Sequence, residues 1–144
     1  VGCVAKIKQS LKTPDKHLRL IVEGYSRATV TGYKHFADYV MADAICKTYH
    51  LRDDGGFKGE ALIREAISAL EGIMKFLPPA TSELLVTAKT INNPGLFADF
   101  VASNFLVKFN DKQAVLECFE PLERLECLIF HLEREAEQES QYAE

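Results

Sequence analysis

The chain has 144 residues, 47% hydrophobic and 26% charged, which excludes a disordered polypeptide and allows a core without disulfides or metals. Its net charge of −4 is carried by residues 131–144, where Glu133, Glu135, Glu137, Glu139 and Glu144 stand against Arg134, while the rest is balanced. No face is globally basic, so a nucleic-acid footprint is not indicated.

The first fifty residues read as β structure. Cys3, Ala5 and Ile7 alternate with Lys6 and Lys8, and "TPDK" at 13–16 is a turn, with Pro14 presetting φ and Asp15 in the tight position. Leu18, Leu20 and Val22 then alternate with His17, Arg19 and Glu23, so 3–23 is expected to be an antiparallel hairpin. Gly24 and Gly32 bracket a further short strand after a turn. A last strand falls in 38–49, with Val40, Ala42, Ala44 and Cys46 on one side. "RDDGGFKG" at 52–59 reads as a flexible breaker.

After Gly59 the period becomes helical. Leu62, Ala66, Ala69, Leu70, Ile73 and Leu77 form one stripe, which Pro78 and Pro79 end. Thr81 or Ser82 caps a short second helix. In "INNPGLFADFVASNF", Asn93 suits an N-cap and Pro94 the first helical position, where its missing N–H costs nothing. Gly95 is expected to admit another backbone. Leu96, Phe97, Phe100 and Val101 make an apolar stripe, Ala98 and Ala102 allow close helix contact, and Asn104 is a left-handed terminator. A further helix covers 110–119, capped by Asn110 or Asp111. From Pro121, Leu122, Leu125, Ile129, Leu132 and Ala136 recur at spacings of three and four along a helix whose second half is acidic and projects outward.

Chemistry is sparse. The cysteines Cys3, Cys46, Cys118 and Cys127 form no CxxC and sit among apolar neighbours, so they are expected to be buried free thiols in a reducing compartment. Cys127 and His131 are spaced to share an ion but lack further ligands. His17, His35 and His50 are expected on the solvent side. No GxxxxGK[ST], GxGxxG or GxSxG occurs. Cys46 with His50 is the nearest Cys/His pair, without an orienting third group. No signal peptide appears, and no apolar run approaches membrane-spanning length. The aromatics Tyr25, Tyr33, Phe36, Tyr39 and Tyr49, interleaved with basic residues, read either as hairpin packing or as a surface for extended peptides.

The order of segments resembles the N-terminal domain of the Lon family of ATP-dependent proteases. Gly2, Val4, Ala5 and Ile7, then Val22, Glu23, Gly24 and Arg27, resemble that domain's hairpin. Pro94, Gly95, Ala98, Asp99 and Ala102 resemble its Pro-Gly-x-x-Ala-Asp-x-Ile-Ala segment, with Val101 in place of Ile. Lys112, Gln113, Leu116, Glu117, Arg124 and Leu125 resemble its Lys-Gln-x-x-Leu-Glu and Arg-Leu stretches. The family's opening β-rich portion, ATPase motifs and Ser–Lys dyad are not in these residues. The chain, which begins with Val in mid-pattern, therefore reads as a piece of a longer protein with one sheet edge left unpaired.

The resemblance implies an α+β fold. Residues 1–52 would be the C-terminal part of a β-rich subdomain, and 53–144 an α-helical subdomain, a bundle ending in a long C-terminal helix. It implies a non-catalytic piece of an ATP-dependent serine endopeptidase of the cytoplasm, with no cofactor of its own. ATP and Mg would belong to other domains of the parent. The implied partners are unfolded or damaged proteins and other copies of the chain, a hexamer in the parent, with no membrane and no nucleic acid. Capture would be weak and multivalent, through six copies around one pore. Tyr33, Phe36, Tyr39 and Met41 are the expected substrate contacts; no catalytic or metal residue is expected. Two other readings are a stand-alone Lon-like adaptor, which a stop codon rather than a Walker A motif downstream would mark, and a small enzyme using Cys46 and His50.

Overall fold

The computed structural model describes residues 1–47 and 55–143. The chain divides into two compact units, Val1–Thr48 and Tyr49–Glu144. The boundary expected between 52 and 53 lies outside the described residues, as do His50 and Tyr49.

The first unit is a three-stranded antiparallel sheet in the order β1 (Gly2–Lys12), β2 (Leu18–His35), β3 (Val40–Lys47). The turn at Thr13–His17 closes through Thr13 N–H to His17 O at 2.8 Å and Lys16 N–H to Thr13 O at 3.1 Å. Lys16, not Asp15, takes the left-handed backbone, with φ of 64°. Asp15 instead accepts a hydrogen bond from the Thr13 hydroxyl, which lowers its pKa below the usual carboxylate value.

No turn forms at Gly24: β2 runs unbroken for 18 residues. Gly24 lies opposite Ala5, beside a register shift between Val4 and Ala5. A Cβ there would meet Cys3 Sγ at 3.1 Å, so the glycine is needed for close approach rather than for a turn. Gly32 also marks a bulge rather than a strand end, since the β2–β3 register shifts between Val30 and Gly32. The expected alternation survives in two places. Leu18, Leu20 and Val22 pair with Lys12, Ser10 and Ile7, and Val40, Ala42, Ala44 and Cys46 share one side of β3.

The second unit is helical: α1 (Gly56–Met74), α2 (Ser82–Lys89), α3 (Pro94–Phe105), α4 (Phe109–Glu117) and α5 (Pro121–Ala143). The glycines read as a breaker belong to the start of α1. Gly55 and Gly56 have φ of 70° and 57°, and a Cβ on Gly55 would lie 2.7 Å from Leu122 Cδ2. Only a residue free of Cβ strain lets α1 begin against the first turn of α5. The stripe of α1 buries Ala66, Leu70 and Ile73 as expected. A single 3₁₀ turn at Pro79–Thr81 leads into α2. Neither Thr81 nor Ser82 caps it as expected: their hydroxyls donate back to Pro78 O and Pro79 O.

Helix α5 packs on α1, α3 and α4 and organises the core. The seam expected at Leu125, Ile129 and Leu132 is buried, and Leu128 joins it. On α3 the buried residues are Phe97, Ala98, Val101, Ala102 and Phe105, while Leu96 is exposed. Each large buried apolar side chain contributes about 1.5–3 kcal/mol, so this short helix anchors the unit. Asn104 does not terminate α3. It lies inside the helix and its Nδ2 donates to Phe100 O at 2.8 Å. Likewise α4 starts at Phe109, and Asp111 is a buried first-turn residue rather than a cap.

Candidate functional site

The proline-glycine segment before α3 is explained by one arginine. Asn93 Oδ1 accepts from Leu96 N–H at 3.0 Å, the expected cap, and Pro94 starts the helix. Arg124, at the start of α5 and 5% exposed, reaches across. Its Nε donates to Cys118 O at 2.8 Å, its Nη2 to Phe119 O at 2.8 Å, and its Nη1 to Gly95 O at 3.3 Å and Asp99 Oδ2 at 3.2 Å. A Cβ on Gly95 would stand 3.0 Å from Arg124 Nη1 and 3.4 Å from Pro121 Cβ. The glycine makes room for a side chain, not for the backbone expected. The guanidinium offers five donors in a fixed fork, so it can satisfy three carbonyls from two segments at once. This latch is architectural: it ties α3, the α4–α5 connection and α5 together.

A second polar group is buried where α4 meets α5. Asp111 Oδ1 accepts from Arg134 Nη2 at 2.9 Å and lies 3.2 Å from His131 Nδ1. The sequence offered Asp111 only as a cap and His131 only as a neighbour of Cys127, and their pairing was not foreseen. The missed signal is spacing, since His131 falls three residues after Leu128 on the buried face of α5. Cys127, close to Cys118 and Asp111, has its thiol pKa pushed up to about 12, first by burial and then by those neighbours. Among the described residues no three His, Cys, Asp or Glu side chains are grouped to hold a metal ion. Cys118 and Cys127 are half-buried, but Cys3 and Cys46 are exposed, against the expectation of four buried thiols, because the sheet unit builds almost no interior of its own.

The expected contact residues lie where β2 turns into β3. Phe36 N–H donates to Tyr39 O at 2.9 Å, and the two rings stack with centroids 4.8 Å apart. Tyr33 pairs with Ala42 and Met41 with Lys34. Alternation then puts Tyr33 on the face of Val40, Ala42 and Ala44, and Met41 on the opposite one with Ile45. The turn thus brings Phe36 and Tyr39 together and separates Tyr33 from Met41. All four are exposed, Tyr33 by 65%. Further apolar residues, Ile7, Leu18, Leu20 and Val22, are exposed on paired positions of β1 and β2. No helix among the described residues is long and apolar enough to cross a membrane.

Residues 1–134 match the family model of the ATP-dependent protease La (LON) substrate-binding domain. The chain is 34% identical over 137 residues to a Lon protease of Desulforamulus reducens, covering 95% of this chain and 17% of that protein. It is 36% identical over 135 residues to the Lon protease of Escherichia coli K12, covering 94% of this chain and 17% of that one. The chain therefore spans about a sixth of the length of these relatives. Its fold is similar to the N-terminal domain of the Mycobacterium avium complex Lon protease, with a TM-score of 0.66 at 19% identity, over 91% of this chain and 68% of that one. The sheet followed by five helices agrees with that fold, and the chain belongs to the LON substrate-binding domain family.

Proposed function

We propose that this chain serves a Lon-type, ATP-dependent serine protease as the part that recognises unfolded or damaged polypeptide and supports assembly into an oligomer. The observation that carries the reading is the β2–β3 turn, with Phe36 stacked on Tyr39 and Tyr33 and Met41 exposed on either side. Unfolded chains differ from folded ones in exposing apolar segments. Large, stiff side chains on a strand turn meet such segments at low entropic cost. Burying four half-exposed side chains returns about 1 kcal/mol each, which barely offsets the ~4 kcal/mol or more lost on association. A single copy then binds weakly, and useful affinity comes from several copies acting on one chain.

On this reading the chain performs no catalysis. ATP hydrolysis with Mg, by a AAA+ module, and peptide-bond cleavage belong to other parts of the protease, in cytoplasmic protein quality control. The test is binding of a reduced, carboxymethylated protein that cannot refold. Replacing Phe36 and Tyr39 together with alanine is expected to weaken binding about tenfold while the circular dichroism spectrum stays unchanged. Unchanged affinity in that variant and in a Tyr33→Ala, Met41→Ala pair would remove the turn as the contact surface.

A further inference from the structure

Cys118 and Cys127 stand together where α4 meets α5, and Arg124 holds them there. Cys118 is the residue at which α4 ends. Its N–H donates to Val115 O at 3.2 Å, and its backbone leaves the helix with ψ of 101°. Arg124 Nε donates to its carbonyl at 2.8 Å, and Nη2 donates to the next one, Phe119 O, at 2.8 Å. The end of α4 is thus pinned to the first turns of α5. Cys127 lies three residues after Arg124, at the neighbouring position on the same face of that helix. It packs against the helical core, with its thiol within hydrogen-bonding reach of the Cys118 thiol. Both cysteines are free and half-buried. The polypeptide-binding reading uses neither.

We propose that Cys118 and Cys127 are an oxidation site, at which a peroxide or a small-molecule disulfide converts the two thiols into a reversible bond between α4 and α5. With a peroxide, Cys118 Sγ attacks one oxygen, the O–O bond breaks, and the departing hydroxide takes up the thiol proton as water. Cys127 Sγ then attacks the Cys118 sulfenic acid, the S–O bond breaks, and a second water leaves with the Cys127 proton. The two sulfurs lose two electrons and the peroxide gains them. With a small disulfide, Cys118 forms a mixed disulfide and releases one thiol, and Cys127 displaces the other. The order of attack follows from the surroundings. Burial first, then the charge and hydrogen bond of Cys118, then Asp111, push the Cys127 thiol up to about 12, so Cys127 does not open the reaction. Once Cys118 carries an oxygen or a mixed disulfide its charge is gone, and so is that part of the restraint on Cys127. The bond is a switch more than a staple. In the reduced chain Cys118 Sγ already donates to Ala114 O at 3.5 Å, and the loop closed between 118 and 127 is short, so folding does not depend on it.

The experiment uses the whole chain with Cys3→Ser and Cys46→Ser, so that the exposed thiols of the sheet unit cannot cross-link copies. The reduced protein is treated with hydrogen peroxide, blocked with N-ethylmaleimide, digested and mapped by mass spectrometry. The expected product is one pair of peptides joined through Cys118 and Cys127 within a monomer, returned to two thiols by dithiothreitol. The joined form should melt roughly 5 °C higher than the reduced one. Dimedone, which traps sulfenic acid, should label Cys118 in a further Cys127→Ser variant. It should label Cys127 in Cys118→Ser at least about tenfold more slowly. Cys118 driven to sulfinic acid while Cys127 stays a thiol would overturn the inference, as would a bond that forms only between two molecules. Faster labelling of Cys127 than of Cys118 would overturn it too, since the shielded thiol would then be the reactive one. Should a substitution unfold the chain, the same peptide map of the unsubstituted protein decides by itself whether 118 and 127 are joined.

Discussion

The two units handle apolar residues in opposite ways. In the helical unit Phe97, Phe105, Leu125, Leu128 and Leu132 are almost wholly enclosed. In the sheet unit Ile7, Leu18, Leu20, Val22 and Tyr33 are about half exposed, and Ala28 is the one buried apolar residue among those described. The difference teaches where stability and recognition reside. Five helices have enough facing surface to close a core, whereas three strands have two faces and no second layer within their own unit. Apolar area that builds no core is area available to a partner.

The comparison breaks or sharpens under substitution. The largest effect is expected from Phe97→Ala, which should cost about 3–5 kcal/mol by leaving a cavity in the helical core. Ile7→Ala, on the exposed sheet, should cost under about 0.5 kcal/mol. Urea denaturation followed in both variants checks the contrast, and similar losses would mean that the sheet's apolar residues are structural after all.

Next is Arg124→Ala, expected to cost about 3 kcal/mol, because it leaves carbonyls of Gly95, Cys118 and Phe119 without their donor. Lysine should rescue little of it, since one ammonium cannot reach all three carbonyls in the geometry of the guanidinium fork. Asn93→Ala removes one cap bond and should cost about 1 kcal/mol, measured as a lowered midpoint of thermal unfolding.

The smallest effect concerns the thiols. Cys3 and Cys46 are exposed, so maleimide should label them first, with Cys127 slowest of the four. Burial raises the Cys127 pKa in the folded state from 9.0 to about 12. The folded chain thus keeps a proton that the unfolded chain loses, so this contribution is whole below pH 9 and fades as pH rises toward about 12. Cys127→Ala should flatten the fall in stability over that window, and an unchanged slope would mean that the thiol is not shielded.

Much of this fold was legible in the residues themselves. The period-two and period-four patterns, the Asn93 cap, the Pro94 helix start and the α5 seam are local effects, set by backbone sterics and by spacing along one element. The similarity of ordered motifs pointed to the family. Long-range contact decided the rest. Gly24 and Gly32 looked like turn residues, but pairing with β1 and β3 places them inside β2, each beside a register shift. Gly95 looked like a backbone contact, but Arg124, 29 residues later, fills the space. Asp111, His131 and Glu135 have the charge of surface residues and are buried because α4, α5 and the segment at Val107 close over them. Sequence spacing reports which side of an element a residue occupies. Only the packed structure decides what stands opposite, and therefore whether a charge meets water or a partner.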